Sequence, residues 1–316
     1  MTTGTEQHAP QKTNGRVTAG NEQHTPQNTN NRITADNEQH TPKNTSTGIT
    51  AGIGRRAPGE AARKLLAPYV TGGITADWTD YLLAYERAGA DLIEVGLPFS
   101  DPMLDGATIQ EASDRALARG ATVDSILADL AATPLRVPIV VMTYANLVLW
   151  AGIAKLAAAG VSGLIVPDLP LGESAGLEAE CAAAGIDLVL LVAPSTTDDR
   201  LREICRRSRG FVYAISVMGT TGERGTLAES AATLAARAKA VTDLPVLIGF
   251  GVSTPEQAAQ AGRAGDGAVI GAALMRRVLD GATADDLATD VAAYRAALDL
   301  GVSPGTPHAE VSGHRG

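Results

Sequence analysis

Residues 92–110 read LIEVGLPFSDPMLDGATIQ, and the fold that we predict for the chain starts from this segment. Asp91 to Gly96 form an apolar run without alternation, which is typical of a parallel strand buried on both faces. Gly96 and Pro98 end the strand, and a helix is predicted to begin at about Thr108. A buried parallel strand that passes through a loop into a helix is the repeating unit of α/β proteins.

Two carboxyl groups in this segment are candidates for acid–base chemistry. Glu94 lies inside the apolar strand, where an ionised carboxylate is destabilised unless it is paired or faces a polar cavity. Asp105 follows on the loop, so the two groups can converge on one cavity and hold different pKa values. The alternatives are an ion-paired structural glutamate and a simple Asp-Gly turn. The combination of both acids at one strand end favours a catalytic pair.

Apolar runs alternate with alanine-rich helical stretches from Lys64 onward, and eight of these runs are strand candidates. Most of their starts lie 22 to 27 residues apart, which leaves room for one strand, one helix and two turns. The gaps after the second and sixth candidates are longer and should hold extra helix or loop. The candidates are Lys64–Val70, Asp91–Gly96, Pro138–Tyr144, Gly163–Pro167, Asp187–Ala193, Gly210–Ser216, Pro245–Gly251 and Gly267–Gly271.

Eight such units in succession predict a (β/α)8 TIM barrel, an α/β fold in which catalytic groups stand at the carboxyl ends of the strands. Glu94 and Asp105 fall at such an end. A doubly wound open sheet is the alternative, but that fold usually has a G-x-G-x-x-G turn after an early strand. No such turn is present, since Gly52-Ile53-Gly54 precedes every strand candidate.

The predicted barrel also offers an anion site after its last two strands. Gly249-Phe250-Gly251 ends the seventh strand, and Thr254 is the predicted N-cap of the helix that follows. The eighth strand ends at Gly271, and the short helix Ala272–Leu279 opens directly onto it. Many barrels hold phosphate at these positions. The glycine-rich loop 218–226 is predicted to be a lid, with a merely long connection as the alternative.

Composition excludes several classes of function. The formal charge is −9 and there is no run of Lys or Arg, so we expect neither nucleic acid nor a membrane as a partner. No apolar stretch has the length of a transmembrane helix and no signal peptide opens the chain, so a cytoplasmic location is expected. Cys181 and Cys205 lie on predicted helices and are expected to be reduced packing residues.

The predicted barrel contains no histidine and few lysines. A His-based triad and a His-ligated metal are therefore excluded from it, and no lysine stands at a strand end to form a Schiff base. We accordingly expect neither a metal nor a cofactor. The histidines are His8, His24, His40, His308 and His314, and the lysines of the body are Lys64, Lys155 and Lys239.

The N-terminal segment differs from the rest in composition. Residues 1–52 contain three copies of a 16-residue repeat rich in Thr, Asn and Gln, with too few aliphatic residues to offset chain entropy. We therefore divide the chain into a disordered extension at 1–54, a catalytic barrel at 55–300 and a flexible tail at 301–316. Removal of residues 1–52 is expected to leave stability and catalysis almost unchanged.

Several motifs carry a resemblance to a known family. They are the Glu94–Asp105 segment, Tyr144-Ala145-Asn146-Leu147, Val166-Pro167-Asp168-Leu169-Pro170, Tyr213 with the Gly219–Arg224 loop, and Gly249–Gly251 with Pro255-Glu256-Gln257. From about Leu66 to Leu300 the chain resembles the tryptophan synthase alpha chain. That family is the lyase of tryptophan biosynthesis that splits indole-3-glycerol phosphate into indole and glyceraldehyde 3-phosphate.

The resemblance assigns roles to individual residues. It implies that Glu94 and Asp105 are the catalytic pair. It also implies an indole pocket and a phosphate site, with substrate-binding roles for Tyr69, Met142, Tyr144, Ile165, Tyr213, Gly222, Phe250, Gly251, Gly271 and Ala272.

The resemblance further implies a protein partner. In the family, a beta chain with pyridoxal phosphate receives indole through a tunnel, and an α2β2 heterotetramer is the expected assembly. Pro98, Asp101 and Asn146 would face the beta chain. Three positions depart from the family pattern: Ala107 replaces a usual Pro, Ile74-Thr75 replaces a common Asp-Pro, and Ala272 replaces a Ser whose hydroxyl would bond the phosphate.

Two carboxyl groups suffice for the implied reaction, a retro-aldol cleavage between an indole ring and its side chain. Asp105 would accept the ring N–H, and Glu94 would move protons at the ring carbon and the neighbouring hydroxyl. Two other functions stay open from the sequence. One is a phosphosugar isomerase with a carboxylate pair, and the other is a non-enzymatic activator of the beta chain.

Overall fold

A computed structural model describes residues 48–49, 53, 63–215, 224–249 and 251–300, with the backbone alone at 224–229. Several sequence predictions fall outside these residues. They are the repeats before residue 48, the tail 301–316, the lid at 218–223, and the binding roles of Gly222 and Phe250.

The fold is built on eight parallel strands that pair in sequence order, and the last strand pairs with the first. The sheet is therefore a closed barrel, which confirms the predicted TIM barrel and shows that the open sheet is wrong. Every strand overlaps one of the predicted segments. The strands are β1 Leu65–Thr71, β2 Ile93–Gly96, β3 Ile139–Met142, β4 Val161–Ile165, β5 Asp187–Val192, β6 Val212–Ile215, β7 Val246–Gly249 and β8 Gly267–Ile270.

Helices alternate with the strands and cover the outside of the barrel. The long gap after β2 holds two helices, as expected from its length. The helices of the described residues are α1 Trp78–Arg87, α2 Ala107–Ala118, α3 Val123–Ala132, α4 Ala145–Ala151, α5 Ile153–Ala158, α6 Ala175–Ala184, α7 Asp198–Arg207, α8 Arg224–Lys239, α9 Pro255–Ala264, α10 Ala272–Leu279 and α11 Ala284–Leu300. Among them, none has both the length and the apolar character that crossing a bilayer requires.

Alternation along each strand separates two apolar cores. Leu92 and Val140 belong to the cluster that fills the barrel interior, whereas Ile93 and Val141 belong to the larger cluster between the strands and the helices. Since side chains alternate along β2, Glu94 points into the interior, two residues beyond Leu92. The register of β2 therefore places the carboxyl group of Glu94 inside the barrel.

Two aspartates organise the N-terminal face of the barrel. Asp91, before β2, accepts the backbone N–H of Leu66 at 2.8 Å and pairs with the buried Arg295 at 3.0 Å. Asp266, before β8, accepts the backbone N–H of Val246 at 3.0 Å. These carboxylates satisfy backbone groups at the ends of neighbouring strands, so their role is structural. They lie at the opposite end of the strands from the predicted catalytic pair.

Ile49 closes the same N-terminal face. Its side chain is fully buried and lies over Gly163, while its backbone N–H donates to Asp187 Oδ2 at 2.8 Å. Ile53 packs against the same interior cluster. Both isoleucines lie within the segment that we predicted to be an extension. Ile49 and Ile53 thus belong to the barrel core, although composition had assigned them to the extension, because single isoleucines beside a polar repeat give no pattern that indicates burial.

Candidate active site

Glu94 is the acid at the centre of the site. It is 2% exposed, and its register partners in the two neighbouring strands are Tyr69 of β1 and Val140 of β3. Burial, reinforced by the negative charge of Asp105, raises the pKa of Glu94 to about 8. Within the described residues no basic side chain opposes this shift of the pKa. The alternative from the sequence, a structural glutamate held in an ion pair, is therefore not found there. Glu94 is therefore mainly protonated at neutral pH.

Asp105 lies on the loop between β2 and α2, where backbone and side-chain contacts hold it. Its N–H donates to the carbonyl of Pro102 at 3.0 Å, which closes a turn. Its carboxylate Oδ2 accepts the phenol of Tyr144 at 3.2 Å. Burial raises the pKa of Asp105, and the bond from Tyr144 opposes that rise. The two acids of the pair thus have different environments, which is the condition for different protonation states.

Tyr144 joins the loops that follow β2 and β3. Its hydroxyl accepts the backbone N–H of Leu104 at 3.1 Å while it donates to Asp105. Its ring packs on Phe99 with 4.8 Å between the ring centroids. Mainly because of burial, the pKa of Tyr144 is raised to about 12, so the phenol stays protonated and remains a donor. Asp168 extends the chain of contacts by accepting the backbone N–H of Ala145 at 2.9 Å.

Two glycines at strand ends make room for the tyrosines beside Glu94. A Cβ on Gly96 would collide with the ring of Tyr69, and a Cβ on Gly249 would collide with the ring of Tyr213. Both phenols are buried, and burial together with the charges of Glu94 and Asp105 raises the pKa of each. Tyr69 and Tyr213 thus share the environment of the acid pair. Each side chain depends on a glycine in the neighbouring strand.

The structure gathers most residues of the predicted indole pocket at the inner face of the barrel. Tyr213, Ile165 and Met142 belong to the interior cluster or pack against it. Tyr69 is buried opposite Glu94, and Tyr144 is buried beside Asp105. The site thus combines the acid pair with apolar and aromatic side chains of the barrel interior, which suits a flat apolar ring.

The predicted phosphate end has the expected local structure. Thr254 and Gln257 form a capping box at the start of α9, with Pro255 in the first turn. Gly251 has φ +86°, a left-handed conformation that favours glycine. Gly271 is the N-cap residue of α10, whose first residue is Ala272. Backbone N–H groups at such a helix start attract anions. The binding of a phosphate there stays a prediction.

Sequence reasoning missed some of the site. It treated Gly96 as a strand end only, and it assigned no role to Thr71, whose hydroxyl lies 3.2 Å from that of Tyr69. It also assigned none to Gln110, whose amide reaches the Asp105 loop. Only tertiary contacts identify these residues, because a glycine or threonine at a strand end and a glutamine in a helix are common in any barrel sequence. Among the described residues, no group of His, Cys, Asp and Glu side chains is arranged to hold a metal ion.

A closed parallel barrel with acids at the carboxyl ends of its strands defines the class of (β/α)8 enzymes. The family model for the tryptophan synthase alpha chain matches residues 57–300. The tryptophan synthase alpha chain of Gloeobacter violaceus is 45% identical over 240 residues, which is 70% of this chain and 87% of that protein. The alpha chain of Methanosarcina mazei is 46% identical over 208 residues, 64% of this chain and 76% of that protein. The chain belongs to the tryptophan synthase alpha chain family.

Solved structures agree with this assignment. A ligand-free tryptophan synthase from Mycobacterium tuberculosis superposes with a TM-score of 0.68 at 37% identity, over 75% of this chain and 94% of that one. The alpha subunit of tryptophan synthase from Legionella pneumophila superposes with a TM-score of 0.69 at 29% identity, over 75% of this chain and 93% of that one. The resemblance read from the motifs is therefore confirmed at the level of the family.

Proposed function

We propose that this chain is a carbon–carbon lyase that cleaves indole-3-glycerol phosphate to indole and glyceraldehyde 3-phosphate in tryptophan biosynthesis. The buried, protonated carboxyl of Glu94 beside Asp105 carries the proposal. An unpaired acid in a barrel interior destabilises the fold, so a chain without catalytic use for it would be expected to hold an apolar residue there. Membership of the alpha chain family supports the choice of substrate.

The proposed reaction begins with Glu94 as an acid. Its proton is transferred to the ring carbon that bears the glycerol side chain, and the electron pair of the ring nitrogen forms an iminium bond. The resulting carboxylate of Glu94 then takes the proton of the adjacent side-chain hydroxyl. The carbon–carbon bond breaks, an aldehyde forms, and the bonding electrons return to the ring as indole. Glu94 ends protonated, as it began, so the steps balance without a cofactor.

Asp105 stabilises the positive charge that develops on the ring. An ionised carboxylate that accepts the ring N–H becomes a stronger partner as the nitrogen gains charge, so it favours the transition state over the ground state. The bond from Tyr144 helps to keep Asp105 ionised. We assign the indole pocket to Tyr69, Met142, Tyr144, Ile165, Tyr213 and Phe250, and the phosphate site to Gly222, Gly251, Gly271 and the start of α10 at Ala272.

We further propose a beta chain as the protein partner, in an α2β2 assembly. Large apolar side chains are exposed in the segments after β2 and β3: Met103, on the loop after β2, is 83% exposed, and Leu149, on helix α4 after β3, is 85% exposed. Trp150 beside Leu149 is also exposed. Exposed apolar side chains of this size are found at many protein interfaces. Asp101 is exposed on the loop after β2 and Asn146 is exposed in the first turn of α4, whereas Pro98 is buried and would act only by shaping its loop.

An assay of indole release tests the proposed function. Purified protein is mixed with indole-3-glycerol phosphate, alone and with a tryptophan synthase beta chain, and indole is measured. We expect release by the chain alone and faster release with the beta chain. Turnover of a sugar phosphate instead would favour the isomerase, and a chain that only stimulates the beta chain would be the non-enzymatic activator. Family membership argues against the first, and the acid pair argues against the second.

A cytoplasmic location is part of the same proposal. It rests on the sequence and on the chemistry of the two cysteines. Cys181 and Cys205 are both buried free thiols, which suits a reducing compartment. Fractionation of cells that produce the protein, followed by detection of the chain, tests the location.

A further inference from the structure

The loop that carries Asp105 has few anchors of its own. Met103 is 83% exposed and Leu104 is 49% exposed, so the loop buries little apolar surface. Its helix, α2, begins after Gly106 without a side-chain cap. Ala107 occupies the first helical position, where a proline would restrict the backbone. The position of Asp105 therefore depends on a small number of hydrogen bonds.

Gln110 supplies the bonds that fix the backbone of this loop. Its side-chain Nε2 donates to the carbonyl of Asp105 at 2.8 Å and reaches the carbonyl of Pro102 at 3.4 Å. The same Pro102 carbonyl accepts the N–H of Asp105 at 3.0 Å. The amide thus folds back from the first turns of α2 and links both ends of the turn. Tyr144 holds the carboxylate of Asp105, whereas Gln110 holds its main chain.

We propose that Gln110 is a positioning residue for Asp105. Two side-chain torsions separate the carboxylate of an aspartate from its main chain, so a shift of the backbone moves the carboxylate directly. A displacement of 1 Å in a reacting group can lower a rate about 100-fold. This inference rests on the proposed function for its effect on catalysis. The restraint on the loop itself does not depend on the substrate.

Two substitutions of nearly equal size separate positioning from packing. Gln110→Met keeps the shape and removes both donors. Gln110→Glu can donate one O–H bond to the Asp105 carbonyl while its carboxyl is protonated, and it repels both carbonyls once ionised. Glu86→Met is the matched control, because Glu86 Oε1 accepts the N–H groups of Arg136 and Val137 at 2.6 and 3.0 Å in the loop that enters β3. That loop lies at the N-terminal face.

The full chain is assayed for indole release from indole-3-glycerol phosphate across a range of pH. We expect Gln110→Met to lower kcat by roughly 10- to 100-fold with a smaller change in KM. The activity of Gln110→Glu relative to the parent should rise as the pH falls through the pKa of the new carboxyl, since only the protonated form donates. Glu86→Met should lower the melting temperature and leave kcat and the pH profile unchanged.

Amide hydrogen exchange at Asp105 measures the same restraint on the loop, and it does not depend on enzymatic activity. We expect faster exchange in Gln110→Met than in the parent or in Glu86→Met. The proposal is overturned if Gln110→Met keeps kcat within about twofold of the parent, or if the relative activity of Gln110→Glu does not change with pH. If the parent releases no indole, the proposed function fails, and unchanged exchange at Asp105 would then still overturn the positioning role.

Discussion

Burial sets the protonation state of Glu94, and that state determines the order of its proton transfers. A carboxyl with a pKa of about 8 holds its proton at neutral pH and can act first as an acid. Asp105 differs because the Tyr144 phenol stabilises its ionised form. The position of both acids could be predicted from an apolar strand and its loop. The bond from Tyr144 could not, because it joins residues 39 positions apart on two loops.

Replacement of Glu94 by glutamine should change the pH dependence of stability. The ordinary pKa of glutamate in an unfolded chain is about 4.3. Between that value and about 8, the folded chain keeps a proton that the unfolded chain releases, so the parent loses stability as the pH rises through this window. Glu94→Gln removes that loss. Urea unfolding at about pH 5 and pH 8 should show a larger stabilisation at the higher pH, and equal effects at both would contradict the raised pKa.

Removal of the Tyr144 hydroxyl should move the acid limb of the activity profile. Tyr144→Phe deletes the donor that lowers the pKa of Asp105, so a higher pH is needed to ionise the carboxyl. A bond to a charged group contributes about 1.5–3 kcal/mol, and solvent screening reduces this to a shift of up to about one pH unit. The control is Tyr81→Phe, since the buried Tyr81 accepts a bond from Thr75 on another loop. An unmoved acid limb in Tyr144→Phe would count against the assignment.

The two ends of the strands differ in function: one end stabilises the barrel and the other carries the candidate catalytic groups. The N-terminal face is closed by Ile49 and by aspartates that bind backbone groups, whereas the C-terminal face carries the acids. The strands could be predicted closely, because buried parallel strands leave long apolar runs. The insertion of Ile49 could not, since a single isoleucine next to a polar repeat has no periodicity to indicate its partner.

Truncation of Ile49 should destabilise the barrel. Ile49→Ala opens a cavity over Gly163, and such a change typically lowers the free energy of unfolding by about 2–5 kcal/mol. Deletion of residues 1–52 removes the same side chain and should be destabilising too, contrary to our expectation from composition. Thermal unfolding measures both. Leu300→Ala is the control, because Leu300 is 83% exposed. An Ile49→Ala variant as stable as this control would mean that the insertion contributes little.

A hydroxyl at the start of α10 should strengthen the proposed phosphate site. Ala272 is exposed at the first position of this helix, where backbone N–H groups supply most of the attraction for an anion. Ala272→Ser adds one donor and should tighten substrate binding by about 1 kcal/mol, or roughly fivefold. The Michaelis constant and the pH profile are compared between the two forms. An unchanged constant would mean that phosphate binds elsewhere, and a shifted profile would bring residue 272 closer to the proton chemistry.

At the scale of the whole molecule, the barrel brings groups that are distant in the sequence to one end of a closed sheet. Tyr69, Glu94, Tyr144 and Tyr213 come from four strands or the loops after them, yet their charges and phenols influence one another. The closed sheet and its active end could be predicted from the spacing of apolar runs. The glycines that admit the two buried tyrosines could not, since a strand-end glycine has many other uses.

The pH dependence of kcat/KM for indole release, measured for the parent, Glu94→Gln and Asp105→Asn, tests the acid-pair mechanism most directly. The parent should show a bell-shaped profile. Activity should fall above about pH 8 as Glu94 loses its proton, and fall in acid as Asp105 gains one. Each variant should lose roughly 10²- to 10⁴-fold in rate while it stays folded. A folded variant with a rate near that of the parent, or a parent rate that keeps rising well above pH 8, would contradict the mechanism.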